Sequence, residues 1–333
     1  MSGKASTMPA ALPSSASVRR AAYIALGVSV IHIIFGAIVR ISGSGMGCGD
    51  NWPKCHGYWI PPFERMDLII EVTHRYLAIA LFASIAWLVL AAWRARSDAA
   101  VSGSGGVWNA ARLALGLWFA PALFGAVTVF TGNPAWATVV HKLLAAALLA
   151  VLIAATIRAG GLGGSRVLAQ RGEGNAVGGA TAAAVMALLV VLLGGLTAKV
   201  AGAAVACVGF PLCGEGSLGG GAQHIQLTHR LLAYALVLHL ISLPFRFRAR
   251  AEPAPLIIAA WIGLALGLLQ IVWAAWMVMG GFPAVVRSLH QATGIFIWVT
   301  TFAMMYLARI AAGRTSVAAS RVDARVAPAP GVS

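Results

Sequence analysis

Long runs of apolar residues, separated by short polar or glycine-rich segments, dominate the chain. Eight of these runs are about 20 residues long, which is the length that carries a helix across the hydrocarbon core of a bilayer. They cover residues 22–39, 71–93, 113–131, 137–157, 179–198, 227–245, 256–279 and 289–311. Barrel strands would instead appear as runs of about 10 residues with alternating polarity. The pattern therefore predicts an all-α integral membrane protein with eight transmembrane helices.

Composition and charge agree with this prediction. The 333 residues are 60% hydrophobic and 10% charged, which is far from the composition of a water-soluble domain. The net charge of +15 could suggest nucleic-acid binding, but basic residues in membrane proteins usually mark the cytoplasmic side. With the N-terminus inside, 16 of the 24 basic residues lie on the inner side: Lys4, Arg19, Arg20, Arg94, Arg96, Arg112, Arg158, Arg166, Arg171, Arg246, Arg248, Arg250, Arg309, Arg314, Arg321 and Arg325. We expect both termini in the cytoplasm and no nucleic-acid partner.

The chain also repeats itself. Residues 71–81, EVTHRYLAIAL, align with residues 226–236, QLTHRLLAYAL, and a pair of cysteines precedes each copy. The repeat predicts two pseudo-symmetric four-helix bundles. Because each half contains an even number of helices, the two repeats are expected to be parallel, related by an axis along the membrane normal.

The repeat and the composition predict five parts of the chain. Residues 19–160 form the N-terminal four-helix bundle, and residues 179–312 form the C-terminal one. A cytoplasmic linker, 161–178, joins them. Residues 1–18 and 313–333 are rich in Ser, Ala and Pro without apolar periodicity, so we expect disordered cytoplasmic tails there.

Four histidines fall at equivalent places, each at or just inside the start of an even-numbered span. They are His74, His141, His229 and His290. Polar groups at this depth are costly without partners, and two imidazoles facing each other across a bundle suit axial ligation of a heme. Zinc would need a third or fourth protein ligand, and the cysteine spacings are not those of a structural zinc site. His32 and His239 break the repeat and are expected to be packing or hydrogen-bonding residues.

Basic residues accompany these histidines. Arg75, Lys142 and Arg230 directly follow three of them, and Arg287 lies one helical turn before the fourth. Cations at these positions would suit the two propionates of a heme. They could equally be ordinary interfacial side chains that extend toward water, and both interpretations can hold together.

One acidic residue distinguishes the two halves. Glu71 lies one helical turn before His74, where the second copy has Gln226, and residues at this spacing share a helix face. Glu71 could therefore support proton transfer or stabilise charge in the first half, while the second half holds a permanent heme. The alternative is a carboxylate that hydrogen-bonds at a helix N-terminus, where the dipole favours it.

The four cysteines all lie in predicted outer loops. An oxidising compartment permits disulfides there, and the simplest of three possible connectivities pairs Cys48 with Cys55 and Cys207 with Cys213. As a structural staple, each disulfide would contribute about 2–3 kcal/mol. A redox role for the first pair stays open.

These residues together resemble the heme A synthase family, in its cysteine-containing bacterial subgroup. The resemblance covers nearly all of residues 20–312. It rests on G-x-x-V-R at 36–40, the block SGSGMGCGDNWPKCHG at 42–57, I-P-P at 60–62, I-E-x-x-H-R at 70–75, and a second cysteine motif at 207–213. The chain departs from the family pattern at Val72, where an aromatic residue is usual.

The resemblance implies oxidation of the C8 methyl group of heme O to a formyl group, which gives heme A for cytochrome oxidase. It implies that His74 and His141 are the axial ligands of the substrate heme, that Glu71 is essential, and that His229 and His290 hold heme b. Heme O synthase and an electron donor are implied partners, and cytochrome oxidase is the recipient. The implied location is the plasma membrane of a bacterium, with heme sites near the outer face; a homo-oligomer is one open option.

The main alternative is a two-heme electron carrier of the cytochrome b type. Such a carrier has little use for Glu71 on one side, and its hemes would lie at two depths to move charge across the bilayer. A heme or small-molecule transporter ranks third, because it would show broken helices at the midplane. Pro121, inside the third span, is the candidate for such a break.

Overall fold

The computed structural model describes residues 13–103, 105–169, 175–217 and 219–326. Eight long helices occur in this part of the chain: α1 (Pro13–Ile41), α2 (Met66–Arg94), α3 (Val107–Phe130), α4 (Ala135–Arg158), α5 (Ala176–Lys199), α6 (Gly221–Ala249), α7 (Ala254–Met279) and α8 (Ala284–Val326). Each is long and apolar enough to cross a membrane. The prediction of an all-α membrane protein with eight spanning helices is therefore confirmed.

Both chain ends contain helix within segments that were expected to be disordered tails. Helix α1 begins at Pro13, inside the expected tail 1–18, and α8 continues to Val326, inside the expected tail 313–333. Ala and Arg, both strong helix formers, are frequent in 313–326, and the next proline is Pro328. The rest of the two expected tails, 1–12 and 327–333, and part of the expected linker, 170–174, lie outside the described residues.

The eight helices pack as two rings of four with the same order of neighbours. In the first half α1 packs against α2 and α4, and α3 packs against the same two helices. In the second half α5 packs against α6 and α8, and so does α7. The parallel axis and the cytoplasmic position of the termini stay predictions.

The two halves meet through α1 and α4 of the first and α5 and α8 of the second. Trp298 of α8 donates from its indole Nε1 to the carbonyl oxygen of Ala146 in α4, at 3.3 Å. The Arg158 guanidinium donates to the hydroxyl of Tyr306 and, at 3.2 Å, to the carbonyl oxygen of Gly106. The bonds from Trp298 to Ala146 and from Arg158 to Tyr306 connect the halves along α4 and α8, whereas the bond to Gly106 stays within the first half.

Tight packing is concentrated toward the C-terminal ends of the even helices and the N-terminal ends of the odd ones. Fully buried aliphatic side chains there include Leu88, Leu152 and Met304. Helix α5 contributes mainly alanines, such as Ala180 and Ala183, and small residues let membrane helices approach closely. The opposite ends of the helices carry the histidines, the disulfide loops and the large cavity.

Candidate functional site

A cavity of about 360 Å³ lies within the first half. Its wall includes side chains from α1, α2, α3 and α4, together with Trp52 and Trp59 of the outer loop and Gln291 of α8. The wall is mostly apolar, but His74, His141 and other polar groups face into it. A largely apolar pocket with a few convergent polar groups is typical of a cofactor or substrate site.

The four predicted ligands occupy the same register in both halves. His74 and His229 are each the ninth residue of their helices, α2 and α6, and His141 and His290 are each the seventh residue of α4 and α8. At a rise of 1.5 Å per residue, the histidines lie about 12 Å and about 9 Å from the helix starts. Each half therefore presents one matched pair of imidazoles.

His74 and His141 both line the first-half cavity. The Nδ1 atom of each ring is buried without a hydrogen-bond partner among the described residues. A Cβ atom added at Gly36 would come within 2.9 Å of His74 Cε1, and one added at Gly125 would lie 3.5 Å from His141 Cε1. A glycine thus leaves room for each ring, and the free nitrogens and the cavity fit a group that binds imidazole nitrogen, such as a heme iron.

His32 belongs to the same site, although sequence reasoning expected only a packing or hydrogen-bonding role. Its ring stacks on that of His74, with 4.3 Å between the centroids and 26° between the planes. It lines the cavity, and its buried Nε2 has no hydrogen-bond partner in the described chain. His239 differs, because its Nε2 donates to the carbonyl oxygen of Gly179 at 2.9 Å.

Glu71 is 4% exposed and lines the cavity. Its Oε2 accepts a 2.9 Å hydrogen bond from the backbone N–H of Cys48, and its Oε1 accepts one of 2.6 Å from Arg75. Gln226 makes the matching loop contact in the second half, where its Oε1 accepts from the backbone N–H of Cys207 at 2.5 Å. Both residues therefore fix an outer loop, and Glu71 adds a negative charge at the cavity wall.

Arg75 and Arg230 have partners other than the predicted propionates. Arg75 donates to Glu71 and to the carbonyl oxygens of Asn51, Pro53 and Lys54. Arg230 donates in the same way to carbonyl oxygens of the second outer loop, at Cys207, Gly209, Pro211 and Leu212. These guanidinium groups hold the outer loops onto the helices, and the sequence could not reveal this because the loops fold back over distant residues.

The outer loops are closed by the two expected cysteine pairs. Cys48 is bonded to Cys55, and Cys207 is bonded to Cys213. In the first loop the buried disulfide packs against Leu68 and Val72, so Val72 fills the space beneath the loop. The loop is thereby fixed over the cavity, with Trp52 and Trp59 in the cavity wall.

The second half has a different interior. The Nδ1 atom of His229 is buried without a partner among the described residues, and a Cβ added at Gly194 would come within 3.0 Å of its Cε1. His290 instead lies against Gln270, whose Nε2 is 3.1 Å from both ring nitrogens. A cavity of about 40 Å³ beside Gln270 lies in this half.

Comparison with known proteins supports one family for this arrangement. The model of the cytochrome oxidase assembly protein family COX15-CtaA matches residues 19–71 and 62–153. A heme A synthase of Exiguobacterium sp. is 29% identical over 276 residues, which cover 80% of this chain and 85% of that protein. A heme A synthase of Geobacillus thermodenitrificans is 27% identical over 306 residues, covering 90% and 93%. These matches agree with the expected resemblance: the chain is similar to heme A synthases over most of its length, and its residues 19–153 match the model of the COX15-CtaA cytochrome oxidase assembly proteins.

Proposed function

We propose that this protein is a heme A synthase, which oxidises the C8 methyl group of heme O to the formyl group of heme A. The observation that carries the proposal is the first-half cavity, where His74, His141 and Glu71 meet beneath a disulfide-bonded loop. The family match supports the same activity, because relatives that align over most of the chain are heme A synthases.

In this proposal His74 and His141 hold the iron of heme O. Imidazole nitrogen is a common axial ligand of heme iron, and each ring has a buried nitrogen without a partner in the described structure. Trp52, Trp59 and Trp118 line the cavity and provide aromatic surface for the porphyrin and its hydrophobic tail. The substrate is thereby oriented between α2 and α4.

Glu71 serves proton transfer in this reaction. Two successive oxidations convert the methyl group to a gem-diol, which loses water to give the formyl group; O₂ and external electrons are consumed. Beyond their bonds to Cys48 and Arg75, the two carboxylate oxygens keep unused lone pairs, so Glu71 can accept a proton during the loss of water. The charge-assisted bond from Arg75 fixes the position of the carboxylate.

His229 and His290 hold heme b in the second half of the proposed enzyme. The Nδ1 of His229, which has no partner among the described residues, and the room that Gly194 leaves beside its ring support such a group, and the cavity of about 40 Å³ beside Gln270 would have to widen to admit it. His290 would have to give up its hydrogen bond with Gln270 to hold the group, and a neutral hydrogen bond of this kind contributes only about 1 kcal/mol net. When bound, heme b supplies one-electron transfer.

In this proposal the enzyme lies in the plasma membrane of a bacterium, with both termini in the cytoplasm and both heme sites near the outer face. The basic residues of the inner segments support this orientation. Heme O synthase is the expected source of substrate, a separate donor supplies electrons, and cytochrome oxidase receives the product.

The identity of the heme that the protein produces tests the proposal. The chain is expressed in a bacterium that makes heme O but no heme A, and the extracted hemes are analysed by mass spectrometry. A heme with a formyl group in place of the C8 methyl group is expected. A protein that binds heme while heme O stays unchanged would contradict the proposal and support a cytochrome b-type carrier.

Gly36→Ala is expected to weaken heme O binding. The added Cβ would lie 2.9 Å from His74 Cε1, and overpacking of this kind costs about 1–3 kcal/mol, which is roughly 5- to 150-fold in affinity. Absorbance titration with heme O measures the effect. Gly27→Ala in the same helix is the matched control, because a Cβ there meets nothing within 4 Å. Equal affinities of the two variants would show that Gly36 does not protect the His74 ring.

A further inference from the structure

Four basic side chains lie near the contact between the two halves, at the helix ends that carry the histidines. They are Arg40 of α1, Lys142 of α4, Lys199 of α5 and Arg287 of α8, and all four are half-buried. Arg40 lies within electrostatic range of the other three. The helices that meet between the halves thus bring together a group of positive charges, here called the cationic cluster.

The cationic cluster has no acidic partner in the described part of the chain. The salt bridges found there join Arg65 to Asp67 and Arg75 to Glu71. Like charges held near one another and partly shielded from water repel, and ionisable residues within membrane spans usually mark functional sites. The cluster is therefore suited to an anion.

Two members of the cluster face the substrate cavity directly. Arg40 and Lys142 both line its wall. The Lys142 side chain extends from α4 to α5, where a Cβ added at Gly195 would lie 3.0 Å from its Nζ. Gly195 therefore leaves the space that the ammonium group occupies, and this group stands between the cavity and the second half.

We propose that Arg40 and Lys142 bind the two propionate carboxylates of the porphyrin in the first-half cavity, with Lys199 and Arg287 adding positive potential behind them. The inference rests on the proposed function. Arg40 and Lys142 take the role of propionate partner that was expected for Arg75, whose guanidinium already donates to Glu71 and to loop carbonyls. The planar Arg fork can bind a carboxylate through two parallel hydrogen bonds, and Lys acts as a point charge.

The experiment compares heme O with its dimethyl ester, in which both carboxylates are blocked. Binding of each to the purified full-length protein is followed by absorbance titration. Arg40→Gln and Lys142→Gln are each expected to weaken heme O binding by about tenfold or more, the size of a lost charge-assisted hydrogen bond. Binding of the ester is expected to change by less than about twofold, because the ester offers no anion to either cation.

Two further variants make the test specific. Arg65→Gln removes an exposed cation at the end of the outer loop, where it pairs with Asp67 in the first turn of α2, and it should leave both affinities unchanged. Gly195→Ala keeps every charge but crowds Lys142 Nζ, and it should weaken heme O binding while sparing the ester. Circular dichroism and size-exclusion chromatography confirm that each variant is folded.

Equal losses for heme O and its ester in both glutamine variants would overturn the inference, as would unchanged heme O binding. Failure of the proposed function is distinguishable from either result. Carboxylate-dependent binding without any heme A product would keep the cationic cluster as a propionate site and remove the synthase activity. Heme A production, together with glutamine variants whose affinities for heme O and its ester change equally, would keep the synthase activity and remove the propionate site.

Discussion

Glu71→Gln is expected to lower heme A formation by at least about 100-fold, within the range found for lost general acid–base groups, while heme binding is retained. Gln226 shows that glutamine can make the loop contact at this position, since its Oε1 accepts from the backbone N–H of Cys207. A glutamine at 71 can accept from Cys48 in the same way. It cannot carry the charge that Glu71 presents to Arg75 or accept a proton at neutral pH.

The measurement is the heme A content of membranes by mass spectrometry, together with heme binding by absorbance. Glu64→Gln is the control, because Glu64 is an exposed carboxylate of the same outer loop. Normal heme A output from Glu71→Gln would remove Glu71 from the chemistry. Equal losses of heme A and bound heme would instead assign Glu71 a purely structural role.

Replacing both His229 and His290 with alanine is expected to remove the resident heme b. In cells that make heme b but no heme O, the wild-type protein should purify with a Soret band, and the double variant should lose most of it. Nothing else in the second-half site described above offers a nitrogen ligand of this strength: Gln270, beside His290, carries a neutral amide. The absorbance ratio of Soret band to protein measures the loss.

His239→Ala is the matched control for this variant. It removes a histidine from the same helix as His229, but one whose Nε2 donates to the carbonyl oxygen of Gly179. The control should keep the Soret band. A double variant at 229 and 290 that keeps the wild-type band would show that these two histidines do not hold heme.

The fold and the ligand register were predictable because they depend on local patterns. Apolar runs of membrane length predict the helices, and the repeated T-H-R letters place His74 and His229 at matching positions in α2 and α6. The exact ends of the helices were harder to predict. Helix α2 starts at Met66 rather than 71, because residues 66–70 are themselves mostly apolar and the helix continues through the single charge of Asp67.

The surroundings of the histidines depend on contacts between distant segments, which one sequence does not contain. The partners of Arg75 lie in a loop that precedes it by about 20 residues and folds back over α2. The cationic cluster exists only because α1 and α4 meet α5 and α8. The sequence shows that His32 shares a helix face with Gly36, one turn later, but the position of Gly36 beside the His74 ring, which makes this face part of the site, is itself a long-range contact.

In the proposed enzyme, heme O is oxidised between His74 and His141. The decisive comparison is between the hemes extracted from the wild-type protein and those from a variant with alanine at both positions, each expressed with a source of heme O. We expect heme A and heme b from the wild-type protein, and heme b without heme A from the variant. Heme A at wild-type levels from the variant would show that oxidation does not depend on these two histidines.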